Sequence, residues 1–155
     1  MKNVYVLGDS ISMHYGPYLA QFLDGIMGYA RKAGGEEGTQ NLDIPKGPNG
    51  GDSERVKRFL SNIRDENAIG SDIMLVNCGL HDIKTDPETD ARQVTLEAYE
   101  QNLRDIVALV SEMKPQMIWV RTTPCDENVH NVGDRDFHRF ASDVTLYNQI
   151  ADSVM

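Results

Sequence analysis

Three short apolar runs, at residues 4–7, 73–76 and 117–120, constrain the fold of this chain most strongly. Turn-prone or polar residues follow each run, and continuous apolar runs of this length are typical of strands buried on both faces of a parallel sheet. Parallel strands need crossover connections, which are right-handed and usually helical. The sequence therefore predicts an α/β fold, a three-layer α/β/α sandwich whose strand-end loops meet at one edge of the sheet.

Four segments between and after these runs repeat apolar residues at the spacing of one helix face. Their members are Tyr18, Leu19, Phe22, Leu23 and Ile26; Val56, Phe59, Leu60 and Ile63; Tyr99, Leu103, Ile106, Val107 and Val110; and Phe137, Phe140, Val144, Tyr147, Ala151 and Val154. Pro17 is expected in the first turn of the first helix, and Asp52 or Ser53 is expected to cap the second. We also expect a weaker strand near residues 41–44 and a surface loop at the Gly-rich acidic stretch 34–38.

The charge balance restricts the partners of the chain. Its 155 residues predict one domain, and Lys+Arg 15 against Asp+Glu 24 give a net charge of -9, which argues against nucleic acid and anionic membranes as partners. The first apolar run begins almost at the N-terminus, which leaves no room for a secretion signal. Two cysteines, Cys78 and Cys125, are too few for a disulfide framework. We therefore expect a cytoplasmic protein with reduced thiols; its oligomeric state stays open.

The first strand leads directly into Gly8-Asp9-Ser10-Ile11-Ser12. This order places a serine hydroxyl at a strand-to-helix turn, on the edge of the sheet where ligands bind. A glycine permits the tight turn, and the N–H groups of a helix N-terminus can stabilise an oxyanion. Ser10 is thus a candidate nucleophile, and the alternative is an ordinary helix cap formed by Asp9, Ser10 or Ser12.

Two further loops, at residues 47–53 and 77–82, have unusual content. Together the three loops resemble the sequence blocks of the SGNH hydrolases, also called GDSL hydrolases, which are serine esterases and lipases with a flavodoxin-like fold. The resemblance implies that Ser10 is the catalytic nucleophile and that the Gly51 N–H lines an oxyanion hole. In Gly79-Leu80-His81-Asp82, His81 stands where the family usually has an asparagine, so the implied oxyanion hole comprises Ser10, Gly51 and His81.

Two departures from the family pattern stand out. The first is His81: a histidine can donate through a ring N–H, but which nitrogen donates depends on tautomer and charge. The alternative interpretation of His81 is a loop residue that only hydrogen-bonds to nearby backbone. The family's Asp-x-x-His block near the C-terminus has no counterpart: Glu127 and His130 have the spacing but lie before the last helix, and Asp136 and His138 have the wrong spacing. We therefore expect the domain, residues 1–155, to be C-terminally incomplete, without its last strand and helix.

The resemblance implies an esterase that forms an acyl-enzyme on Ser10. The strand-end loops are polar, which favours small acyl esters, including O-acetyl groups on carbohydrate, with Asp9, Asn49 and His130 as substrate-binding candidates. The histidines show no recognised metal-ligand spacing, and we expect neither a metal nor a cofactor. The alternative is a non-catalytic binding domain or a truncated, inactive hydrolase fragment.

Overall fold

A parallel sheet forms the centre of the structure, a computed structural model that describes residues 1–35, 37–66 and 69–155. Its strands in these ranges are β1 (Asn3–Leu7), β2 (Gly28–Arg31), β3 (Ile73–Val76) and β4 (Gln116–Trp119), in the spatial order β2-β1-β3-β4. All three strand pairs are parallel. The loops that follow β1, β3 and β4 therefore emerge at the same edge of the sheet, as the sequence predicts.

The helices cover both faces of this sheet, which confirms the predicted α/β/α layers. Their bounds are α1 (Ser10–Leu23), α2 (Glu37–Gln40), α3 (Ser53–Asp65), α4 (Leu96–Met113), α5 (Glu127–His130) and α6 (Ala141–Val154). Helices α3, α4 and α6 bury the main core against one face. In the described part of the chain, no helix has the length and apolarity needed to cross a membrane.

The side chains of β1 alternate between the two faces, as strand geometry requires. Tyr5 and Leu7 join the main core, where they meet Met74 and Val76 of β3 and the buried faces of α3 and α4. Val4 and Val6 are buried as well but lie outside that core, on the face along which α1 runs. Packing on both faces fixes the register of β1 and thus the position of the loop that follows it.

The expected strand near residues 41–44 is wrong. Residues 42–44 are turn and bend residues, closed by a hydrogen bond from the Ile44 N–H to the Asn41 carbonyl at 3.2 Å. The strand in this part of the chain is β2, whose Gly-Tyr-Ala-Arg sequence contains no apolar run because the strand lies at an edge and is only partly buried. Of the predicted surface loop, Gly38 is buried in α2, and Glu36 lies outside the described residues.

The predicted buried face of the first helix is also wrong. Helix α1 begins at Ser10, and Pro17 lies inside it rather than in its first turn. Its buried residues include the small Ser12 and Gly16, whereas Tyr18 and Phe22 are 65% and 78% exposed. The tight turn after β1 determines which face of α1 meets the sheet, and that constraint overrides the apolar stripe.

The last helix is shorter than predicted. Helix α6 begins at Ala141, so Phe137 and Phe140 precede it. His138, which the sequence places at a helix start, instead pairs its backbone with Thr85 through hydrogen bonds of 2.9 and 2.8 Å. Among the described strands β4 ends the sheet, and its Ile118 is 41% exposed.

Candidate active site

The loop after β1 packs tightly against the loops that follow β3 and precede α3. A Cβ atom on Gly8 would lie 2.0 Å from Asn77 Oδ1, so only glycine fits there. The Gly8 carbonyl accepts a hydrogen bond from the Gly50 N–H at 2.7 Å, which extends the sheet pattern to the second loop. The three loops that the sequence singles out are therefore brought together at the carboxyl edge of the sheet.

Ser10 is the first residue of α1, and its neighbour Asp9 caps the helix. The Asp9 carboxylate accepts the Ile11 N–H at 3.0 Å and an Asn77 Nδ2–H at 2.8 Å. Of the three cap candidates, Asp9 therefore performs this role, and among the described residues none hydrogen-bonds the Ser10 hydroxyl. Ser10 is 6% exposed as a whole residue, and its hydroxyl is not among the fully buried polar atoms of the described residues that lack a partner.

Asp9 itself is fully buried. Burial raises the pKa of its carboxyl group, while the hydrogen bonds from Ile11 and Asn77 oppose that shift. Its contacts are those of a residue that holds the turn after β1 in place. The expected contact of Asp9 with substrate stays a prediction.

The second loop is built around Gly51 and Asn49. Gly51 has a φ of 76°, and a Cβ atom there would lie 2.7 Å from the Pro45 Cβ atom, so this position requires glycine. The Gly51 N–H donates to Asn49 Oδ1 at 3.0 Å, and Asn49 Nδ2 donates to the Leu42 carbonyl at 3.0 Å. Asn49 is buried, and its amide stabilises the loop; a substrate oxyanion at Gly51 would have to replace Asn49 Oδ1 as the acceptor.

A buried carboxylate joins the second loop to the third. The Ser53 N–H, at the start of α3, donates to Asp82 Oδ1 at 2.9 Å and Oδ2 at 3.1 Å, and the Ser53 hydroxyl also donates to Oδ1. Burial raises the pKa of Asp82 to about 7, although the Ser53 hydrogen bonds lower it. As predicted, Asp52 caps α3, and its carboxylate accepts the Arg55 N–H at 2.9 Å.

His81 is completely buried, and neither ring nitrogen has a hydrogen-bond partner within the described ranges. Burial lowers the pKa of His81 to about 3, and the neighbouring positive charges of Lys84 and Arg139 act in the same direction. The imidazole is therefore neutral at ordinary pH, with one ring N–H as donor and the other nitrogen as acceptor. Buried polar groups are seldom left without partners, so this ring has a donor available for a ligand or a water molecule.

Arg139, which the sequence analysis does not single out, connects three loops at this edge. Its Nε–H donates to the Leu80 carbonyl at 2.8 Å, an N–H of Nη2 donates to Asp43 Oδ1 at 3.2 Å, and Nη1 lies 2.8 Å from His130 Nε2. The side chain is 5% exposed. One feature of the sequence could have indicated that Arg139 is buried: it lies between Phe137 and Phe140, in an apolar context that is unusual for arginine.

The remaining histidines differ in their surroundings. Both ring nitrogens of His130 are engaged, because Nδ1 lies 2.8 Å from Asn131 Oδ1 and Nε2 contacts Arg139, so its expected role in substrate binding stays a prediction. His14 is exposed on α1, and His138 uses its backbone to pair with Thr85. Over the described part of the chain, no histidine is paired with a carboxylate, and no group of three or more His, Cys, Asp or Glu side chains could hold a metal ion.

Comparison with known proteins identifies a relationship that covers most of the chain. A family model described as GDSL-like Lipase/Acylhydrolase matches residues 4–153. This range contains all three loops of the candidate site. The comparison with individual curated proteins gives no match.

Proposed function

Because this chain belongs to the GDSL-like lipase/acylhydrolase family, we propose that it hydrolyses esters of small acyl groups through a covalent intermediate on Ser10. The supporting observation is the position of Ser10 at the start of α1, where no described residue hydrogen-bonds its hydroxyl. In the first step the Ser10 Oγ–carbonyl bond forms and the alcohol leaves with a proton. Water then hydrolyses the acyl-enzyme and releases the acid.

Three donors can stabilise the oxyanion that forms in this step. Ser10 contributes its backbone N–H in the first turn of α1, where such groups have no partner within the helix. Gly51 contributes its N–H when the oxyanion replaces Asn49 Oδ1. His81 contributes a ring N–H. Its lowered pKa keeps the imidazole neutral, with one N–H to donate.

The surroundings of the site favour a polar substrate. A cavity of about 370 Å³ is lined by Asp43 and residues 132–137. It adjoins Arg139, because the guanidinium contacts both Asp43 and the Phe137 ring. Carboxylates and an arginine along its wall suit an alcohol that carries several hydroxyl groups. We therefore propose short acyl esters of polar alcohols, including carbohydrate O-acetyl esters, as the substrate class.

Labelling with an organophosphonate tests the nucleophile. We expect one label per chain, located at Ser10 by peptide mapping. Ser12→Ala is the matched control, because Ser12 is a neighbouring buried serine whose hydroxyl donates to the Asp9 carbonyl at 2.7 Å. Ser12→Ala should keep the label and Ser10→Ala should lose it; labelling at any other residue would overturn the assignment.

A second candidate is a domain that binds acyl esters without hydrolysing them. The observation that favours it is the lack of a histidine–carboxylate pair in the described ranges, since a serine hydroxyl needs a base to become a good nucleophile. Calorimetric titration with a non-hydrolysable ester analogue distinguishes the two candidates. Binding without phosphonate labelling supports the binding domain, and binding with labelling at Ser10 supports the esterase.

A further inference from the structure

Arg139 lies where three loops meet, directly before the start of α6. Asp43 belongs to the loops after β2, Leu80 to the loop after β3, and His130 to the segment after β4. The guanidinium contacts all three, at 3.2, 2.8 and 2.8 Å. A planar guanidinium carries N–H groups on three nitrogens in a fixed plane, so it reaches partners on different sides that the single ammonium nitrogen of a lysine cannot reach together.

The backbone around Arg139 fixes this side chain further. Asn131 accepts the Arg139 N–H through Oδ1 and donates Nδ2–H to the Arg139 carbonyl, both at 2.9 Å. The ring of Phe137 lies with its centroid 4.8 Å from the centre of the guanidinium. Arg139 thus occupies one defined position, unlike an arginine that extends into solvent.

The contact with Arg139 determines which nitrogen of His130 carries a proton. A guanidinium can only donate, so His130 Nε2 must be the acceptor in the 2.8 Å contact. In a neutral ring the proton is then on Nδ1, which donates to Asn131 Oδ1 at 2.8 Å. This arrangement leaves His130 without a free nitrogen.

The contact with Leu80 acts on the loop that carries His81. The Leu80 carbonyl belongs to the peptide bond that joins Leu80 to His81, so its hydrogen bond to Arg139 Nε–H restrains the backbone beside the His81 ring. The positive charge of Arg139 is also close to both His81 and Asp9: burial lowers the pKa of His81 and Arg139 adds to that shift, whereas burial raises the pKa of Asp9 and Arg139 opposes it. Arg139 therefore lies close to both loops that carry the proposed nucleophile and oxyanion donor.

We infer that Arg139 is a positioning residue of the proposed active site, which holds His81 in place through the Leu80 carbonyl and locks His130 in the Nδ1–H form. The effect on His81 rests on the proposed function, and the effect on His130 does not. Small displacements of catalytic groups cost up to about a hundredfold in rate, so the expected loss is large enough to measure.

The first experiment is ¹⁵N NMR of the histidine rings in the wild type, Arg139→Met and Arg135→Met. Arg135 is the matched control, because it lies in the same segment but is exposed, with one hydrogen bond of 3.4 Å to the Val132 carbonyl. We expect a protonated Nδ1 at His130 in the wild type and in Arg135→Met, and a shift towards Nε2–H in Arg139→Met. A wild type with Nε2–H, or an unchanged tautomer in Arg139→Met, would overturn the inference for His130.

The second experiment measures kcat and KM for a short-chain p-nitrophenyl ester, with Arg139→Lys as the variant. This change keeps the charge. The ammonium is expected to pair with Asp43, the one carboxylate among the described residues that forms an ion pair with Arg139, which leaves Leu80 and His130 without donors. We expect kcat to fall by about tenfold to a hundredfold with little change in KM. The kinetic control is Arg104→Met, which should match the wild type because Arg104 is exposed on α4 and pairs with Glu100. An unchanged kcat in a folded Arg139→Lys protein, shown by circular dichroism, would overturn the positioning of His81.

Arg139→Lys also serves for the NMR experiment if Arg139→Met does not fold, because His130 loses its donor in both variants. A negative result in one experiment does not decide the other. A wild type without esterase activity would refute the proposed function, while the His130 tautomer would still decide the role of Arg139.

Discussion

The Ser53 N–H donates to both carboxylate oxygens of Asp82, at 2.9 and 3.1 Å, across 29 positions of sequence. Asn102 of α4 adds to this contact, because its Nδ2–H donates to the Ser53 hydroxyl at 2.9 Å. The contact therefore fixes the start of α3, which follows Gly51, relative to the loop that carries His81. The separation of two proposed oxyanion donors depends on this one buried carboxylate.

Replacing Asp82 with Asn should change how stability depends on pH. The pKa of Asp82 is about 7 in the fold and 3.8 as an ordinary aspartate, so the folded state favours the neutral form. Between about pH 4 and 7 the unfolded chain releases this proton first, so the contribution of Asp82 to stability falls as pH rises, by about 1.4 kcal/mol per pH unit at most. Asp82→Asn removes this dependence, which urea unfolding at a series of pH values would reveal.

Asp152→Asn is the control for Asp82→Asn. Asp152 is half exposed, and its replacement removes one surface carboxylate, so the fall in stability that Asp82 causes between about pH 4 and 7 should persist in Asp152→Asn. If Asp82→Asn and the wild type have parallel stability curves between pH 4 and 7, the neutral buried carboxyl is refuted.

Substitutions of His81 test whether its ring donates to the oxyanion. His81→Asn restores an amide donor near the position of the imidazole N–H, whereas His81→Ala removes the donor. Loss of one such donor costs about a hundredfold to a thousandfold in kcat. We expect His81→Asn to keep far more ester hydrolysis than His81→Ala; equal activity of the wild type and both variants would show that the ring is only structural.

The ionisation of His81 gives a further prediction for stability in acid. Its pKa falls from 6.5 to about 3 on folding because of burial, so the folded state holds the neutral ring. As pH falls from about 6.5 to 3, the unfolded chain binds a proton that the fold does not, so the contribution of His81 to stability falls; between about pH 4 and 6.5 it opposes the contribution of Asp82. His81→Asn should therefore lose less stability than the wild type as pH falls through this range. If the free energy of unfolding falls equally in both proteins between about pH 6.5 and 3, the prediction is contradicted.

Gly51→Ala should impair both the fold and the site. An alanine would have to adopt a φ of 76° and place its Cβ atom 2.7 Å from the Pro45 Cβ atom. Left-handed conformations cost non-glycine residues about 1–2 kcal/mol, and the overlap adds to that cost. Gly35→Ala is the control, because within the described residues, apart from its chain neighbours, no atom lies within 4 Å of its added Cβ. A melting temperature of Gly51→Ala equal to that of Gly35→Ala would refute the tight fit.

The sequence predicts the parts of the fold that depend on local pattern. Continuous apolar residues identify β1 and β3, and the Asp52 cap identifies the start of α3. The prediction that Tyr18 and Phe22 lie on the buried face of α1 is wrong, because helical spacing cannot show which side of a helix meets a sheet. Strand β2 escapes detection because Gly, Tyr, Ala and Arg form neither an apolar run nor an alternation.

The same distinction applies to the candidate site. Strand order brings Ser10, Gly51 and His81 to one edge, because loops after neighbouring parallel strands must lie together. The contacts of Asp82 with Ser53 and of Arg139 with Leu80 join residues far apart in sequence, at 29 and 59 positions. Such contacts depend on packing between loops, which no local pattern encodes.

The acyl-enzyme on Ser10 is the central claim, and mass spectrometry of the protein quenched during reaction with p-nitrophenyl acetate tests it most directly. The account predicts one added acetyl group per chain, located at Ser10 by peptide mapping, and its disappearance in Ser10→Ala but not in Ser12→Ala. Release of p-nitrophenol that continues unchanged in Ser10→Ala, or an acetyl group at any other residue, would contradict the account.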